Sequence, residues 1–521
     1  MKKEEIKLEN TTNKFEHFLK AVEFLGNKLP DITILFLIAF FIMVILSWIL
    51  SHFTFNYFHP TTGEQIKIIN MLAPNELAKF ITKIISNFVS FPPLGITLVG
   101  TLGIGVANGS GFIRMIIIKI SSVIPEKAVT PAVMFISILS HISSDSAYVI
   151  LMPVAAMMFF SFGKHPLAGI AASFAGLAGG HSASYTPSII DPIMQGFTQN
   201  AARMIDPTYT VNVLCNYFLS FSSTFAVILV GWFVTDRIVE PFLWRTMPID
   251  KDAAVENTDI SLVSKKENKA FNIAILVLIS MIIILIALLV PKNSLLRAPD
   301  GQLTTPDAPI MQAIVPVIFL FLVIPGFVYG KLTNKFKTSR DFSGAMADSI
   351  KNLASFLTFA FFCSQFLYMF GTSNVGTLMA ISGAEFLKSL NMPPQVTIAG
   401  IILLTGVLDI LISSASSKWA IMAPVLVPML MAVGISPELT QASYRVSDSA
   451  MNIVTPMFSF YPLIISYCQK YCKKTGVGTL SSMMIPYSIG IFIALLIMLY
   501  GFWALNIPIG FNSGYVYPPV H

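Results

Sequence analysis

Eight ionisable residues stand inside otherwise uncharged stretches of this chain: His141, Asp145, His181, Asp191, Asp409, Lys418, Arg445 and Asp448. Carboxylates, imidazoles, an ammonium and a guanidinium in apolar surroundings suit the binding of protons, cations and charged small molecules. A desolvated carboxylate holds a proton more readily than one in water, and a guanidinium grips a carboxylate through a two-pronged hydrogen bond. Two serine knots accompany these residues, His141-Ile142-Ser143-Ser144-Asp145-Ser146 and Ser413-Ser414-Ala415-Ser416-Ser417-Lys418. Simpler readings stand beside the functional ones. Arg445 and Asp448 are spaced to pair along one helix face, and His141, His165 and His181 read first as neutral, hydrogen-bonded histidines. Machinery for making or breaking bonds is not evident, and no enzyme is expected. No HExxH occurs, Gly109-Ser110-Gly111 lacks the GxSG pattern, and no GxxxxGK[ST] provides for direct ATP drive. Four cysteines (Cys215, Cys363, Cys468, Cys472) offer neither a disulfide scaffold nor a CxxC metal pair.

The elements that position these groups follow from composition. Of 521 residues, 33 are Lys or Arg and 27 Asp or Glu, so 12% are charged where a soluble globular chain carries roughly 25%. With 55% hydrophobic residues and a mean hydropathy of +0.73, the chain cannot cover a water-facing globule of this mass. It reads as an all-α polytopic membrane protein. The formal charge of +6 says nothing of nucleic acid, and no nucleic-acid partner is expected; lipid is. Lysines crowd the segment 1–31, basic residues recur across 236–270 and 331–351 and at Lys470, Lys473 and Lys474, and none follows Lys474. By the positive-inside rule these regions and the N-terminus face the cytoplasm and the C-terminal tail faces out, which requires an odd number of crossings.

Sliding the chain on itself at an offset of 271 aligns 143–171 with 414–442 without a gap. Ser143, Ser146, Pro153, Gly163 and Pro166 meet Ser414, Ser417, Pro424, Gly434 and Pro437, and Tyr148 meets Trp419. Two residues of slippage later, Thr186-Pro187 meets Thr455-Pro456. An ordered match of Pro, Gly and Ser indicates duplication. Each serine knot is flanked by apolar arms too short to span a bilayer, so 131–162 and 394–433 read as re-entrant hairpins, and 167–204 and 438–469 as broken helices. Irregular backbone at that depth is tolerated where it lines a cavity. Counting the broken helices with spans at 32–50, 92–108, 211–235, 271–289, 310–330, 352–370 and 480–506 gives nine crossings. The two halves are 32–235 and 271–521, joined by a cytoplasmic linker at 236–270. The hairpins then enter from opposite faces as an inverted repeat, the architecture of a secondary transporter.

Several motifs carry a resemblance. Ser144-Asp145 with Tyr148 and Pro153, Lys164-His165-Pro166-Leu167-Ala168-Gly169, Pro187 with Asp191-Pro192, Ser414-Ala415-Ser416-Ser417-Lys418-Trp419-Ala420, and Gly434-Ile435-Ser436-Pro437-Glu438-Leu439-Thr440-Gln441 through Tyr444-Arg445-Val446-Ser447-Asp448 resemble the aminobenzoyl-glutamate transporter (AbgT) family of the ion transporter superfamily. The resemblance covers essentially the whole chain. It implies a homodimer in a bacterial inner membrane that couples a proton or sodium gradient to movement of p-aminobenzoyl-glutamate, a folate breakdown product. Efflux of sulfonamide antimetabolites, or carriage of di- and tricarboxylates, are the alternatives. No cofactor is implied beyond Na⁺ as a candidate coupling ion. The family's important positions fall on Asp191, Trp419, Pro437, Arg445, Asp448 and Pro456, while Asp409 and Ser184 depart from the amide and the Asn that the resemblance leads one to expect. For such a substrate Arg445 and Lys418 could take carboxylates. Trp419 could stack on the ring or simply pack. Ser144, Ser184, Ser414, Ser416, Asn452 and Thr455 offer small oxygen ligands to substrate or cation. Asp145, Asp191, Asp409 and Asp448 could ligate the cation or carry the proton.

Overall fold

The computed structural model describes residues 30–58, 63–121, 124–125, 128–143, 146–250, 263–351, 353–412 and 414–518. Ser144, Asp145 and nearly all of segment 1–31 lie outside the described residues. Among those described, regular structure is helical apart from two isolated β-bridges. Seven helical stretches among the described residues are long and apolar enough to cross a membrane: Thr33–Leu50, Pro74–Gly109, Tyr217–Thr246, Lys265–Leu289, Ile314–Leu332, Ala354–Thr372 and Val477–Ala504.

Local chemistry divides what hydropathy fuses. The second stretch breaks into Pro74–Val89 and Pro92–Gly109, because Pro92 and Pro93 lack the N–H groups that would continue the first helix and are at home in the opening turn of the next. Asn374, in left-handed backbone at φ +62°, separates Ala354–Thr372 from Val375–Ser389. The segment 236–270, read from sequence as a linker, is helical at both ends. The helix begun at Tyr217 runs through Thr246, with a π turn at Thr235–Val239, and a capping box of Ser264 and Glu267 starts the next helix at Lys265.

The helices of the two repeats are numbered separately. In the first, α1 (Val129–Leu139) leads through a 3₁₀ turn at Ser140–Ser143 to α2 (Ser146–Ser161), then α3 (Pro166–Phe174) with a π turn at Ala175–Gly179, and α4 (Ile190–Ala202). In the second, α5 (Pro394–Leu411), α6 (Ala415–Met431), α7 (Pro437–Met451) and α8 (Tyr461–Gln469) follow the same order. Serine side chains compete with the backbone for hydrogen bonds, and the knots fall where the α-helices of each hairpin end and restart, at the 3₁₀ turn Ser140–Ser143 and at the start of α6. Ser414 becomes the cap of α6, its Oγ accepting from Ser417 N.

The turns from α2 to α3 and from α6 to α7 are superposable bond by bond. Gly163 at φ +70° and Gly434 at φ +85° occupy left-handed backbone, where a Cβ costs about 1–2 kcal/mol. Lys164 N donates to Phe159 O at 2.8 Å, and Ile435 N to Leu430 O at 2.9 Å. Their anchors differ. Lys164 Nζ bonds Asp236 at 2.8 Å and Glu240 at 3.2 Å, tying the first turn to the end of the Tyr217 helix. Burial opposes that ammonium's charge, but the two carboxylates outweigh it and hold Lys164 above the ordinary lysine range. The second turn is strapped by the C-terminal tail, with Tyr517 N donating to Gly434 O at 2.9 Å and Ser436 Oγ to Gly514 O at 2.7 Å. The two repeats interlock: α4 packs along α6, and α7 along α5 and α6. The Pro92–Gly109 helix lies against α4 and the Ile314–Leu332 helix.

Candidate functional site

The breaks in the two repeats meet, and the buried charges meet with them. Arg445 on α7 does not pair with Asp448 along its own helix; it reaches across to α4, where its Nη1 donates to Asp191 Oδ1 at 2.8 Å. Asp191 is held in turn by Ser188, whose N and Oγ both donate to Oδ2, at 2.9 and 3.0 Å. Asp448 faces the other way. Its Oδ1 takes Lys418 Nζ at 2.8 Å and Tyr444 OH at 3.3 Å, and its Oδ2 lies 3.5 Å from His181 Nδ1. Lys418 is simultaneously ion-paired with Asp409 on α5. The Asp409–Lys418–Asp448 triad is sealed, with side-chain exposures of 0%, 1% and 2%, whereas His181 is 31% exposed. Breaking such a buried set by removing one partner costs about 3–5 kcal/mol, because it strands a charge.

A cavity of about 440 Å³ opens beside these pairs. Ser188, Ile189 and Ile190 at the start of α4, and Ser414, Ala415 and Ser416 at the start of α6, lie on its wall. Two helix N-termini therefore face one space, each with a partial positive charge. His141, His181 and Asn452 add polar groups, Thr97 and Thr101 come from the Pro92–Gly109 helix, and Tyr148, Phe458 and Phe460 form an aromatic wall. Tyr148 and Phe460 are stacked, centroids 4.6 Å apart. His141 Nε2 donates to Leu177 O at 2.8 Å; since a carbonyl only accepts, that nitrogen carries the hydrogen.

The residues singled out from sequence separate into groups. Ser414, Ser416 and Asn452 line the cavity, and the Asn452 amide oxygen is buried without a hydrogen-bond partner. Asp191, Arg445, Asp409, Lys418 and Asp448 form the ion pairs behind it. Trp419 is fully buried, stacks on Tyr444 at 4.6 Å and donates its indole N–H to Thr198 Oγ1 at 3.0 Å. It therefore takes the packing role rather than the cavity wall. Ser184 turns away to bond Thr186 O at 2.5 Å. Pro437 opens α7 beside the Gly434 turn, and Thr455 and Pro456 sit in the second break, with Thr455 Oγ1 accepting from Met457 N at 3.3 Å. Sequence reasoning missed Thr97, Thr101, Ser188, Phe458 and Phe460, and it read His181 as bland. Thr97 and Thr101, four apart in an apolar helix, were the available signal, as were two aromatics just beyond Thr-Pro.

Helices broken at one polar cavity, with ion pairs joining the breaks of two repeats, define a multi-pass membrane transporter. The sequence profile described as the AbgT putative transporter family matches residues 17–517, and the chain belongs to that family. It is 32% identical over 491 residues to the p-aminobenzoyl-glutamate transport protein of Escherichia coli K12, covering 94% of this chain and 95% of that one. The crystal structure of the Alcanivorax borkumensis YdaH transporter is similar at a TM-score of 0.87 and 33% identity, covering 92% of this chain and all of that one. Neisseria gonorrhoeae MtrF, described with a class of antimetabolite efflux pumps, matches at a TM-score of 0.87 and 38% identity over 96% of this chain and 99% of its own.

Proposed function

We propose that this protein carries p-aminobenzoyl-glutamate or a related aromatic carboxylate across a bacterial inner membrane, driven by a proton gradient. The cavity carries the reading: two helix N-termini, with Ser416 on the wall, suit carboxylate oxygens, and the Tyr148, Phe458 and Phe460 wall suits an aryl ring. The relative from E. coli, named for p-aminobenzoyl-glutamate transport, supports the same ligand class. Asp191, Asp409 and Asp448 form the coupling apparatus, with Arg445 and Lys418 as internal counter-ions. A proton is favoured over Na⁺ because the Lys418 ammonium already occupies the place between two carboxylates where a cation would sit. The N-terminus is assigned to the cytoplasm and the C-terminus to the outside on the basic-residue distribution, and the homodimer rests on the family resemblance. Uptake of labelled p-aminobenzoyl-glutamate by proteoliposomes, with pH and Na⁺ gradients imposed separately, tests the proposal. Accumulation under the pH gradient alone is expected, and accumulation requiring Na⁺ refutes the coupling. The MtrF likeness favours a second reading, antimetabolite efflux, which sulfonamide competition in the same vesicles distinguishes.

A further inference from the structure

The charges behind the cavity do not balance. Arg445 and Asp191 cancel, but Asp409 and Asp448 set two negative charges against the single ammonium of Lys418. All three are sealed from the cavity, and a net negative charge in that setting is costly, so the triad favours a proton bound on a neighbour in contact with it. Among the described residues, one side chain is seen both to line the cavity and to contact the triad's carboxylates. His181, in the first break, presents Nδ1 to Asp448 Oδ2 at 3.5 Å while lining the cavity. Imidazole is also the side-chain type whose charge changes most readily near neutral pH.

We infer that His181 is the port through which a proton passes between the cavity and the Asp409–Lys418–Asp448 triad, and that protonated His181 binds the substrate carboxylate. The inference deepens the proposed function and rests on it. The titratable and charged groups around His181 are Asp448, Tyr444 and Arg445 on α7, Lys418 on α6, Asp409 on α5, Asp191 on α4 and His141 in the 3₁₀ turn, whose ring lies 6.1 Å away. His141 is fixed by Leu177, and Arg445 and Asp191 neutralise one another, so His181 is left as the group that faces both the surplus negative charge and the ligand. A proton there attracts carboxylate, and carboxylate stabilises the proton. The two bind with positive linkage, the thermodynamic sign of symport, and linkage is reciprocal.

Calorimetric titration of p-aminobenzoyl-glutamate into the purified full-length protein, near neutral pH in phosphate and again in Tris, reads the protons taken up on binding. The wild type is expected to take up about one proton per ligand, equivalent to an affinity that falls up to about tenfold per pH unit as pH rises. His181→Gln should bind more weakly, with uptake near zero and a flat pH dependence. Asp409→Asn removes the surplus charge without touching the cavity, and should bind with reduced uptake. Binding without uptake in the wild type, or equal uptake in His181→Gln, overturns the inference while leaving the substrate reading intact. No binding heat in either buffer overturns the substrate reading, and the coupling falls with it.

Discussion

Replacing Lys418 with Met tests the buried triad most directly. The side chain is 1% exposed and joins Asp409 to Asp448, so Lys418→Met fills the same volume but strands two carboxylates. Two routes give the size of the penalty. Removing one partner of a buried ion pair costs about 3–5 kcal/mol. If instead one carboxylate takes up a proton, the cost at pH 7 is about 1.36 kcal/mol for each of about three pH units above the ordinary aspartate value, or about 4 kcal/mol. The agreement sets the expectation: a large loss of thermal stability in detergent, smaller at about pH 5 than at about pH 8, because acid neutralises the stranded charge. Adding Asp409→Asn restores the net charge that the triad has in the wild type. The double variant Lys418→Met/Asp409→Asn should therefore regain much of the lost stability, a favourable coupling of about 0.5–3 kcal/mol in a double-mutant cycle. Additive or worse-than-additive losses in melting experiments would show that the pairing of Asp409 with Lys418 does not govern stability.

Other expectations concern ligand and topology. Phe460→Ala removes part of the aromatic wall, and should raise the half-saturation concentration for p-aminobenzoyl-glutamate by about tenfold, the worth of an aromatic contact plus lost burial. Trp419→Phe should change it by less than about twofold, while losing about 1–3 kcal/mol of stability because Thr198 Oγ1 loses its buried indole donor. Comparable transport penalties in the two variants would return Trp419 to the substrate site. All four native cysteines are buried, so single cysteines beside the two glycine turns can report topology. Ser161→Cys should react with an impermeant maleimide from the cytoplasmic face and Ala432→Cys from the outer face alone; labelling of both from one face would overturn the inverted repeat.

Much of the fold was legible because its signals are local. Glycine, proline and serine in matching order placed both hairpins, and Gly163 and Gly434 proved to share their backbone conformation and hydrogen bonds. The choice of ion-pair partners was not legible. Arg445 lies three residues from Asp448 yet pairs with Asp191, 254 positions away, because the interlocking of the repeats outranks spacing along one helix. The aromatic wall was hidden for a related reason. Tyr148 and Trp419 are equivalent in sequence, but only the packing of α6 against α4 and α7 seals the second while leaving the first on the cavity. The amphipathic helix at Pro74–Val89 escaped notice because a hydropathy average blends it with its apolar neighbour.

The triad belongs wholly to the second repeat. At the offset of 271, Asp409 and Lys418 correspond to Ile138 and Ala147, so this ion pair has no counterpart at the same positions of the twin hairpin. In a carrier built from inverted repeats, the two access states arise when the halves exchange roles, and identical halves would make those states equal in free energy. Here they are unequal: one exchange carries the Asp409–Lys418 pair where its mirror image carries Ile138 and Ala147. The resting population is thereby biased toward one open side before any ligand binds. A mutation at Asp409 or Lys418 should shift that bias as well as the coupling.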